Sequence, residues 1–373
     1  MAEKSITNER PAGVVVDTIT CDEAEERELE ISALALVELL PCKTRVRKRV
    51  LPCVPIDDRR TIMIEAMRTE IAIYNHLPKG HPRFLEMLAS YDTGVDVGIE
   101  LPFLPIRSLR TYLERHHVDI GADGSPVIPS RLRARWVIEL TDGIDFLHKN
   151  GVIHCDIKPH NVLLDDTLGV RIIDLAGSRL GDLPSLCCET VRFYMPRPRD
   201  NPQGTVSTDL FALGISFFEI VTGAQPFGDV GDPREIVLRY KRGEFASLVA
   251  VTASPSDVLP PKFITKYKST NPDEVAGRRA PANTSVAARA LAPADASGRE
   301  VLFASVMRRC WHGQFASAAD VLVALAEETR TTLSVGDVAY IEGASGLSLQ
   351  AATVSQRLPR TPRPDVVNEG QAG

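Results

Sequence analysis

The sequence predicts an α+β chain with two lobes, a small N-terminal lobe rich in strands and a larger C-terminal lobe built from helices. Short strand-like runs occupy the early part of the chain, whereas long helical patterns dominate the later part. A hydrophobic fraction of 44% over 373 residues is enough to bury a sizeable core.

The N-terminal lobe is predicted to span residues 21–105, after a disordered N-terminus at residues 1–20. Val46–Val50 is a short basic strand. Ile62–Leu77 carries apolar residues at helical spacing, which predicts a helix packed on the sheet. Val95–Leu104 has the apolar run of a buried strand and ends at prolines.

The C-terminal lobe is predicted to span residues 106–330. Ser130–Lys149 has a strong apolar face, with Ser130 as the expected N-cap, and predicts a long amphipathic helix. Two short apolar runs at Val162–Leu164 and Val170–Ile173 flank turn residues and predict a hairpin. Thr208–Thr222 is apolar nearly all round and predicts a buried helix.

Two further segments of the chain lack the pattern of a packed core. Residues 251–298, inside the C-terminal lobe, are rich in Ala, Pro and Ser without periodicity, which predicts a disordered insertion. Helical patterning resumes at residues 300–328. Residues 331–373 end in a segment of Pro and Arg and are predicted to form a disordered tail.

Charge and cysteine content limit the partners and the location that we expect. The net charge of −6 offers no global attraction to nucleic acid or to an anionic membrane. No apolar run is long enough to span a bilayer, and the N-terminus lacks the apolar region of a signal peptide. Seven scattered cysteines without a C-x-x-C pair indicate reduced thiols, so we expect an intracellular protein, cytoplasmic or nuclear.

The most informative run is His154-Cys-Asp-Ile-Lys-Pro-His-Asn161, followed by Asp174. Phosphoryl transfer needs a carboxylate for the proton of the attacking hydroxyl, oxygen ligands for Mg²⁺, and a cation beside the transferred group. Asp156 can be the carboxylate, Asn161 and Asp174 the metal ligands, and Lys158 the cation.

These residues resemble the eukaryotic protein kinase superfamily. Asp156, Lys158 and Asn161 match the H-R-D-x-K-x-x-N motif, and the intervals of five residues to Asn161 and thirteen more to Asp174 also match. The resemblance implies a bilobal protein kinase-like fold, ATP and Mg²⁺ as cofactors, and a protein substrate. Lys158 is typical of the serine/threonine branch.

Upstream, the resemblance implies a nucleotide site. Lys48 would hold the α- and β-phosphates, and Glu70 would orient it. The crowded basic stretch around Lys48 leaves its register open, and a nuclear-localisation or nucleic-acid patch is the alternative. Leu101 would be the gatekeeper, Leu104 would offer backbone hydrogen bonds to adenine, and Leu163 would pack beneath the ring unless it is plain core.

Downstream, Thr190-Val-Arg-Phe-Tyr-Met-Pro-Arg197 resembles the end of an activation segment. The resemblance implies that the Thr190 hydroxyl is hydrogen-bonded to Asp156 and Lys158. Asp209 starts a buried helix and would hold the backbone of the catalytic loop, because a buried carboxylate needs N–H donors.

The region that should cover the nucleotide departs from the family. No glycine lies between Gly13 and Gly80, so the G-x-G-x-x-G loop is absent and Ser32–Val37 is the nearest substitute. Glycines let backbone N–H groups approach phosphates closely, so weaker nucleotide binding is expected.

Four further positions depart from the family. Cys155 replaces the arginine of H-R-D, which makes this a non-RD sequence without a receptor for an activation-segment phosphate. Leu175 and Ala176 replace the last two residues of D-F-G, and the string D-L-A-G-S resembles D-F-A-G-S of a fungal group of kinase-like proteins. Arg197 replaces the glutamate of A-P-E, and we expect its guanidinium to stack on Phe315.

Three functions remain open from the sequence. An active, divergent serine/threonine kinase uses all the residues above. A pseudokinase that acts as an interaction or scaffold module is the alternative, because the glycine loop is missing. A small-molecule phosphotransferase of the aminoglycoside-kinase type also has His-x-Asp and a later aspartate, but it lacks the pattern of Lys158, Thr190 and Asp209.

Overall fold

A computed structural model of the protein describes residues 28–32, 35–52, 57–117, 127–183, 185–186, 188–198, 203–249 and 300–350. The described residues form two compact units. The first contains those up to Gly80 together with Leu85–Pro105, and the second contains His81–Phe84 together with those from Ile106 onward.

Two predicted segments lie outside the described residues. These are the disordered N-terminus at residues 1–20 and the disordered insertion at residues 251–298.

The first unit is built on an antiparallel sheet of short strands. The strands are β1 (Glu28–Ile31), β2 (Leu36–Leu39), β3 (Arg45–Arg49), β4 (Ala89–Asp92) and β5 (Val97–Pro102). Their order across the sheet is β1-β2-β3-β5-β4. The strands predicted around residues 46–50 and 95–104 are therefore confirmed as β3 and β5, which are hydrogen-bonded neighbours.

One helix of the first unit, α1 (Asp58–His76), packs against β5. The Asp57 carboxylate caps it by accepting the Arg60 N–H at 3.1 Å. Met63, Met67 and Tyr74 recur at intervals of four and seven residues, as on one face of a helix, and are almost completely buried. The helix predicted at residues 62–77 is confirmed, and the cap starts it four residues earlier than the pattern suggested.

The second unit contains the remaining described elements. Its helices are α2 (Leu109–His116), α3 (Ser130–Lys149), α4 (Val206–Thr222), α5 (Pro233–Lys241), α6 (Ala304–Trp311), α7 (Ala318–Thr332) and α8 (Val335–Ser345). Its strands are β6 (Val152–Ile153), β7 (Val162–Leu164), β8 (Val170–Ile172) and β9 (Arg179–Leu180). The predicted hairpin is confirmed as the antiparallel pair β7–β8, and β6 pairs with β9. The α+β class predicted from the sequence is confirmed by the two units together.

Helices α3 and α4 form the core of the second unit and pack against each other. Both are buried on nearly every face, as the apolar pattern of α4 predicted. Thr205 and Thr208 form a reciprocal capping box at the start of α4. Gly214 permits the close approach of α6, because a Cβ atom there would lie 2.5 Å from the Cβ of Cys310.

The N-cap predicted for α3 is wrong. Ser130 is the first residue of the helix, and Pro129 stands at the N-cap without a side-chain hydrogen bond. Proline fixes φ near the value that a helix entry needs, so the helix begins without a side-chain acceptor.

The predicted disordered tail is wrong over its first part. α7 extends to Thr332, and α8 follows at once, capped by the Ser334 hydroxyl and ended by Gly346 in the left-handed conformation with φ 70°. α8 packs against α3. Its Ser345 carbonyl accepts a hydrogen bond from the buried Arg83 guanidinium. Residues 351–373 lie outside the described part of the chain.

No helix in the described ranges has the length and apolar character needed to cross a membrane.

Candidate active site

The loop after β6 has a strained backbone, and the carboxylate of Asp209 holds it through hydrogen bonds. Cys155 has φ 62°, a left-handed conformation that costs a non-glycine residue about 1–2 kcal/mol. The N–H groups of His154 and Cys155 donate to the two oxygens of Asp209, at 2.8 and 3.0 Å. Asp209 is 1% exposed, so these bonds satisfy a charge that would otherwise be costly to bury. The role predicted for Asp209 is confirmed.

A third donor to Asp209 was missed in the sequence. His148 lies in the last turn of α3, and its Nε2 is 2.9 Å from Asp209 Oδ2. Nothing in the helical pattern marks this position, because the spacing of apolar residues identifies a buried face and carries no information about polar contacts. It ties the end of α3 to the start of α4, the two elements that flank the loop.

The His154 side chain joins the loop to the segment that carries Asp174. Its Nδ1 accepts from the Asp156 N–H at 3.3 Å, and its Nε2 donates to the Ile173 carbonyl at 3.2 Å. The buried Ser178 hydroxyl donates to the His154 carbonyl at 2.8 Å, which adds a second link across the same two segments. The relative placement of Asp156 and Asp174 is therefore fixed by side chains on both sides.

The Asp156 carboxylate has two oxygens in different situations. Oδ2 accepts from Lys158 Nζ at 2.6 Å and from Asn161 Nδ2 at 2.8 Å. Oδ1 is buried, and no group in the described part of the chain donates to it. Burial raises the pKa of the Asp156 carboxyl above its ordinary value, the charge of Asp174 adds to the rise, and Lys158 opposes it. One oxygen is thus oriented and the other is left to accept a new hydrogen bond.

Asn161 and Asp174 offer the oxygen atoms that a magnesium ion prefers. Asn161 donates through Nδ2 to the Asp156 carbonyl and carboxylate, at 2.9 and 2.8 Å, which assigns the amide nitrogen to the loop and leaves the amide oxygen for a cation. Asp174 is half-buried and has φ 66°, a second left-handed residue beside the loop.

The chemistry of this donor set fits Mg²⁺ bound together with phosphates. Within the described residues, no group of three or more His, Cys, Asp and Glu side chains is placed to hold a metal ion. One carboxylate and one amide form an incomplete cage, and Mg²⁺ commonly completes such a set with phosphate oxygens and water.

In the first unit, Lys48 on β3 forms an ion pair with Glu70 on α1. Lys48 Nζ lies 2.7 Å from Glu70 Oε2, and the two side chains are 11% and 0% exposed. The predicted pairing is confirmed, and the structure also fixes the register that the basic stretch left open. Arg47 and Arg49 alternate with Lys48 along the strand and pair instead with Glu100 at 3.1 Å and Glu38 at 2.7 Å, so the basic stretch is largely neutralised.

The three leucines assigned to adenine lie in both units. Leu101 is buried on β5 opposite Val46, and Leu104 is half-buried just after the end of that strand. Leu163 is half-buried on β7. Their contacts with adenine stay a prediction.

The position of the missing glycine loop is a turn between β1 and β2. The Ser32 N–H donates to the Ala35 carbonyl at 2.8 Å, and the Ser32 hydroxyl accepts from the Ala35 N–H at 3.0 Å. The connection between β1 and β2 is thus held by the backbone and hydroxyl of Ser32. Residues 33–34 lie outside the described part of the chain.

The contact predicted for Thr190 is wrong in this structure. Thr190 is exposed, and among the described residues its hydroxyl makes no hydrogen bond with Asp156 or Lys158. Thr190 lies at the exposed surface and the Asp156 carboxylate is buried, so the hydroxyl is not placed against it.

The stacking of Arg197 on Phe315 is also wrong. The Arg197 guanidinium makes a bidentate ion pair with Glu189, at 2.9 and 2.7 Å, and lies 4.6 Å from the Tyr194 ring centroid. The Phe315 ring is covered by Arg309 instead, at 4.0 Å. Arg197 is therefore paired with a carboxylate eight residues upstream. We call this ion pair the Glu189–Arg197 clasp.

Comparison with known proteins agrees with this site. The family described as the protein kinase domain matches residues 42–268. A protein described as a probable serine/threonine-protein kinase of Bifidobacterium longum is 30% identical over 215 residues, 52% of this chain and 28% of that protein. Serine/threonine-protein kinase RUNKEL of Arabidopsis thaliana is 29% identical over 164 residues, 42% of this chain and 11% of that protein.

A mammalian relative is similar over a comparable stretch. The phosphorylase b kinase gamma catalytic chain, liver/testis isoform, of Mus musculus is 27% identical over 177 residues, 44% of this chain and 40% of that protein. The chain thus spans well under two thirds of the length of each of these relatives. Because the family match covers more than half of the chain and includes the loop that Asp209 holds, the chain belongs to the protein kinase family.

Proposed function

We propose that this chain is a protein serine/threonine kinase that transfers the γ-phosphate of ATP to a hydroxyl group of a protein substrate. The observation that carries the proposal is the divided environment of the Asp156 carboxylate. One oxygen is fixed by Lys158 and Asn161, and the other is buried without a donor among the described residues. A hydroxyl nucleophile needs such an acceptor to orient it and to take its proton.

In this mechanism, Oδ1 of Asp156 accepts the hydrogen bond of the substrate hydroxyl and so aims its oxygen. Lys158, 2.6 Å from Oδ2, holds the carboxylate in one orientation and keeps a positive charge beside the reacting atoms. Asn161 locks the same carboxylate through its amide nitrogen. When bound, Mg·ATP supplies the phosphoryl group and the metal charge that offsets its oxygens.

The proposed cofactor contacts are those that the resemblance to the kinase family implies. Asn161 and Asp174 are the proposed ligands of Mg²⁺, and Lys48, oriented by Glu70, is the proposed partner of the α- and β-phosphates. The proposed neighbours of the adenine ring are Leu101, Leu104 and Leu163. The missing glycines weaken the backbone contacts to the phosphates, so we expect a low affinity for ATP.

The choice of serine and threonine as acceptors rests on Lys158 and on the names of the relatives. An intracellular site of action belongs to the same proposal, because the seven cysteines are scattered and form no C-x-x-C pair.

Replacing the proposed base tests the function. We expect Asp156→Asn to lower phosphate incorporation into a protein substrate by about 10²- to 10⁴-fold, because an amide does not accept the proton. Asp166→Asn, an exposed aspartate in the nearby hairpin turn, is the matched control and should retain the wild-type rate. Phosphate incorporation is followed by mass spectrometry, and thermal unfolding shows whether the variants remain folded. An Asp156→Asn variant with the wild-type rate would refute the assignment.

A pseudokinase is the second candidate, and the turn closed by Ser32 and Ala35 is the observation that favours it. Such a protein would bind partners, with or without ATP, and transfer no phosphate. Thermal unfolding titrated with Mg·ATP, paired with mass spectrometry of the same samples, separates the two functions. Stabilisation by nucleotide without any incorporated phosphate would favour the pseudokinase over the kinase.

A further inference from the structure

A buried glutamate near the end of α4 is surrounded by positive charge. Glu219 Oε2 lies 2.7 Å from Arg110 Nη2, and the two side chains are 4% and 17% exposed. The charges that act on the Glu219 carboxyl are those of Arg110, Glu114, Arg192 and His160. We call Arg110, His160, Arg192 and Glu219 the Glu219 cluster.

The carboxylate at the centre of the Glu219 cluster supplies little free negative charge. Burial raises the pKa of Glu219 to about 7, although Arg110 opposes the rise. The raised pKa means that burial favours the neutral, protonated carboxyl, and the ionised form is already paired with Arg110.

Arg192, by contrast, is held by backbone carbonyl groups. Its Nε donates to the Pro226 carbonyl at 3.1 Å, and one Nη donates to the carbonyls of Phe227 and Val230 at 3.1 and 3.0 Å. Carbonyl dipoles orient a guanidinium but do not cancel its charge. No carboxylate of the described chain lies within ion-pair distance of Arg192. The Tyr240 hydroxyl donates to the Arg192 carbonyl at 2.7 Å and so holds the backbone of Arg192.

The Glu219 cluster borders the catalytic loop. His160 belongs to the 3₁₀ turn Pro159–Asn161, between Lys158 and Asn161. It lies four residues after Asp156, so the two Cα atoms are at most about 14 Å apart. An extended peptide advances about 3.3 Å per residue, so side chains within about four residues of a hydroxyl at Asp156 reach the cluster.

We infer that Arg192, with His160, selects protein substrates that carry acidic residues close to the phosphorylated serine or threonine. The inference rests on the proposed kinase function, and it names the class of substrate. A basic side chain would meet the charge of Arg192 and would gain only from a carboxylate that Arg110 already occupies. An acidic side chain meets an arginine that backbone carbonyls hold in place and that forms no ion pair within the described residues.

Three peptides that differ only in the residues flanking one serine test the inference on the full-length chain. The flanking residues are aspartate and glutamate, asparagine and glutamine, or lysine and arginine. We expect kcat/KM for the acidic peptide to exceed that for the neutral peptide by at least about threefold, the scale of one partly exposed ion pair. We expect the basic peptide to be the poorest of the three.

Variants of the Glu219 cluster should move this preference in opposite directions. Arg192→Gln should bring the ratio of acidic to neutral peptide close to one, because it removes the guanidinium that has no ion-pair partner in the described chain. Glu219→Gln should increase the ratio, because it releases the Arg110 guanidinium from its carboxylate partner and so adds positive charge to the cluster. Arg115→Gln, an exposed arginine on the same helix as Arg110, is the matched control and should leave the ratio unchanged. Loss of the fold does not produce shifts of opposite sign.

Failure of the inference is distinguishable from failure of the proposed function. If the peptides are phosphorylated and the basic or neutral peptide equals or exceeds the acidic one, the inference is overturned and the kinase assignment stands. If no peptide is phosphorylated, binding is read instead by fluorescence anisotropy of the same peptides. Tighter binding of the acidic peptide, lost in Arg192→Gln, then supports the surface, and equal binding of all three overturns it.

Discussion

The catalytic loop His154–Asn161 and the turn between β1 and β2 must both hold the backbone in a set shape, and they do so to very different degrees. In the loop, Asp209 accepts from two backbone N–H groups, and the Ser178 hydroxyl adds a further bond. In the turn, the bonds between Ser32 and Ala35 carry the closure, and Ser32 is exposed.

The groups proposed to act on the transferring phosphoryl group are held by buried, charged hydrogen bonds. The segment proposed to cover the nucleotide contains no glycine. Interactions made only in the transition state set kcat, and ground-state contacts set affinity. We therefore expect weak ATP binding together with retained turnover.

The largest effect should follow from breaking the support of the catalytic loop. Asp209→Asn places an NH₂ group against one of the two N–H donors and frees Cys155 from its left-handed conformation. We expect kcat to fall by about a hundredfold, the scale of a 1 Å misplacement of reacting groups, and the free energy of unfolding to fall by about 3 kcal/mol. Phosphotransfer kinetics and urea denaturation measure the two quantities. A variant with wild-type kcat would show that the loop does not depend on Asp209.

The next largest effect should come from the Glu189–Arg197 clasp, which is held by buried charge as the catalytic loop is. The side chains are 3% and 9% exposed. Glu189→Gln removes the carboxylate charge but keeps an amide oxygen that can accept from the guanidinium, so it should lower the free energy of unfolding by about 2 kcal/mol. The exchange of both residues, Glu189→Arg with Arg197→Glu, should recover most of that loss in urea denaturation. Losses that simply add in the double variant would mean that the two residues act independently.

The raised pKa of Asp156 predicts a pH effect on the loop alone. Activity requires the ionised carboxylate, so kcat should fall tenfold per pH unit below a pKa that lies above the ordinary aspartate value. Rising pH has opposite effects on activity and on stability. A raised pKa means that the folded state prefers the protonated carboxyl, so ionisation costs stability. Relative to Asp156→Asn, the wild-type chain should lose stability as the pH rises through that pKa. A pH–rate profile that is flat down to pH 4 would contradict the assignment of the base.

The smallest effect should come from the turn between β1 and β2. Removing one serine hydroxyl from the turn and one from the support of the catalytic loop compares the two regions directly. Ser32→Ala removes a hydroxyl from an exposed turn and should cost less than about 1 kcal/mol of unfolding free energy. Ser178→Ala removes a hydroxyl that is 1% exposed and bonded to the His154 carbonyl. It should cost about 1–3 kcal/mol and lower kcat, because a buried acceptor loses its donor. Equal costs for the two serines would remove the distinction between the regions.

Much of this arrangement could be predicted from the sequence because its parts are local or recur at fixed intervals. Asp156, Lys158 and Asn161 lie within six residues, and the apolar pattern places them after a long helix. The pairing of Lys48 with Glu70 followed from the resemblance, and strand alternation explains why Lys48 alone faces the helix while Arg47 and Arg49 find other partners.

The parts that could not be predicted depend on how the chain returns on itself. The clasp requires Arg197 to lie beside Glu189, and no periodic pattern encodes that turn. His148 reaches Asp209 only because α3 and α4 pack together. Helix α8 did leave a signal, since Ser334 and Gly346 bracket apolar residues at helical spacing. The composition of the terminal Pro and Arg segment, by contrast, predicts disorder for the whole of residues 331–373.

The dependence of the initial rate of phosphotransfer on the concentration of Mg·ATP tests two expectations together, weak binding of ATP and retained turnover. We predict a kcat within the range usual for kinases, about 1–100 s⁻¹, reached only with a KM for ATP near or above about 1 mM. A KM in the low micromolar range would contradict the weakened nucleotide cover. The absence of turnover at saturating Mg·ATP would contradict the retained catalytic loop.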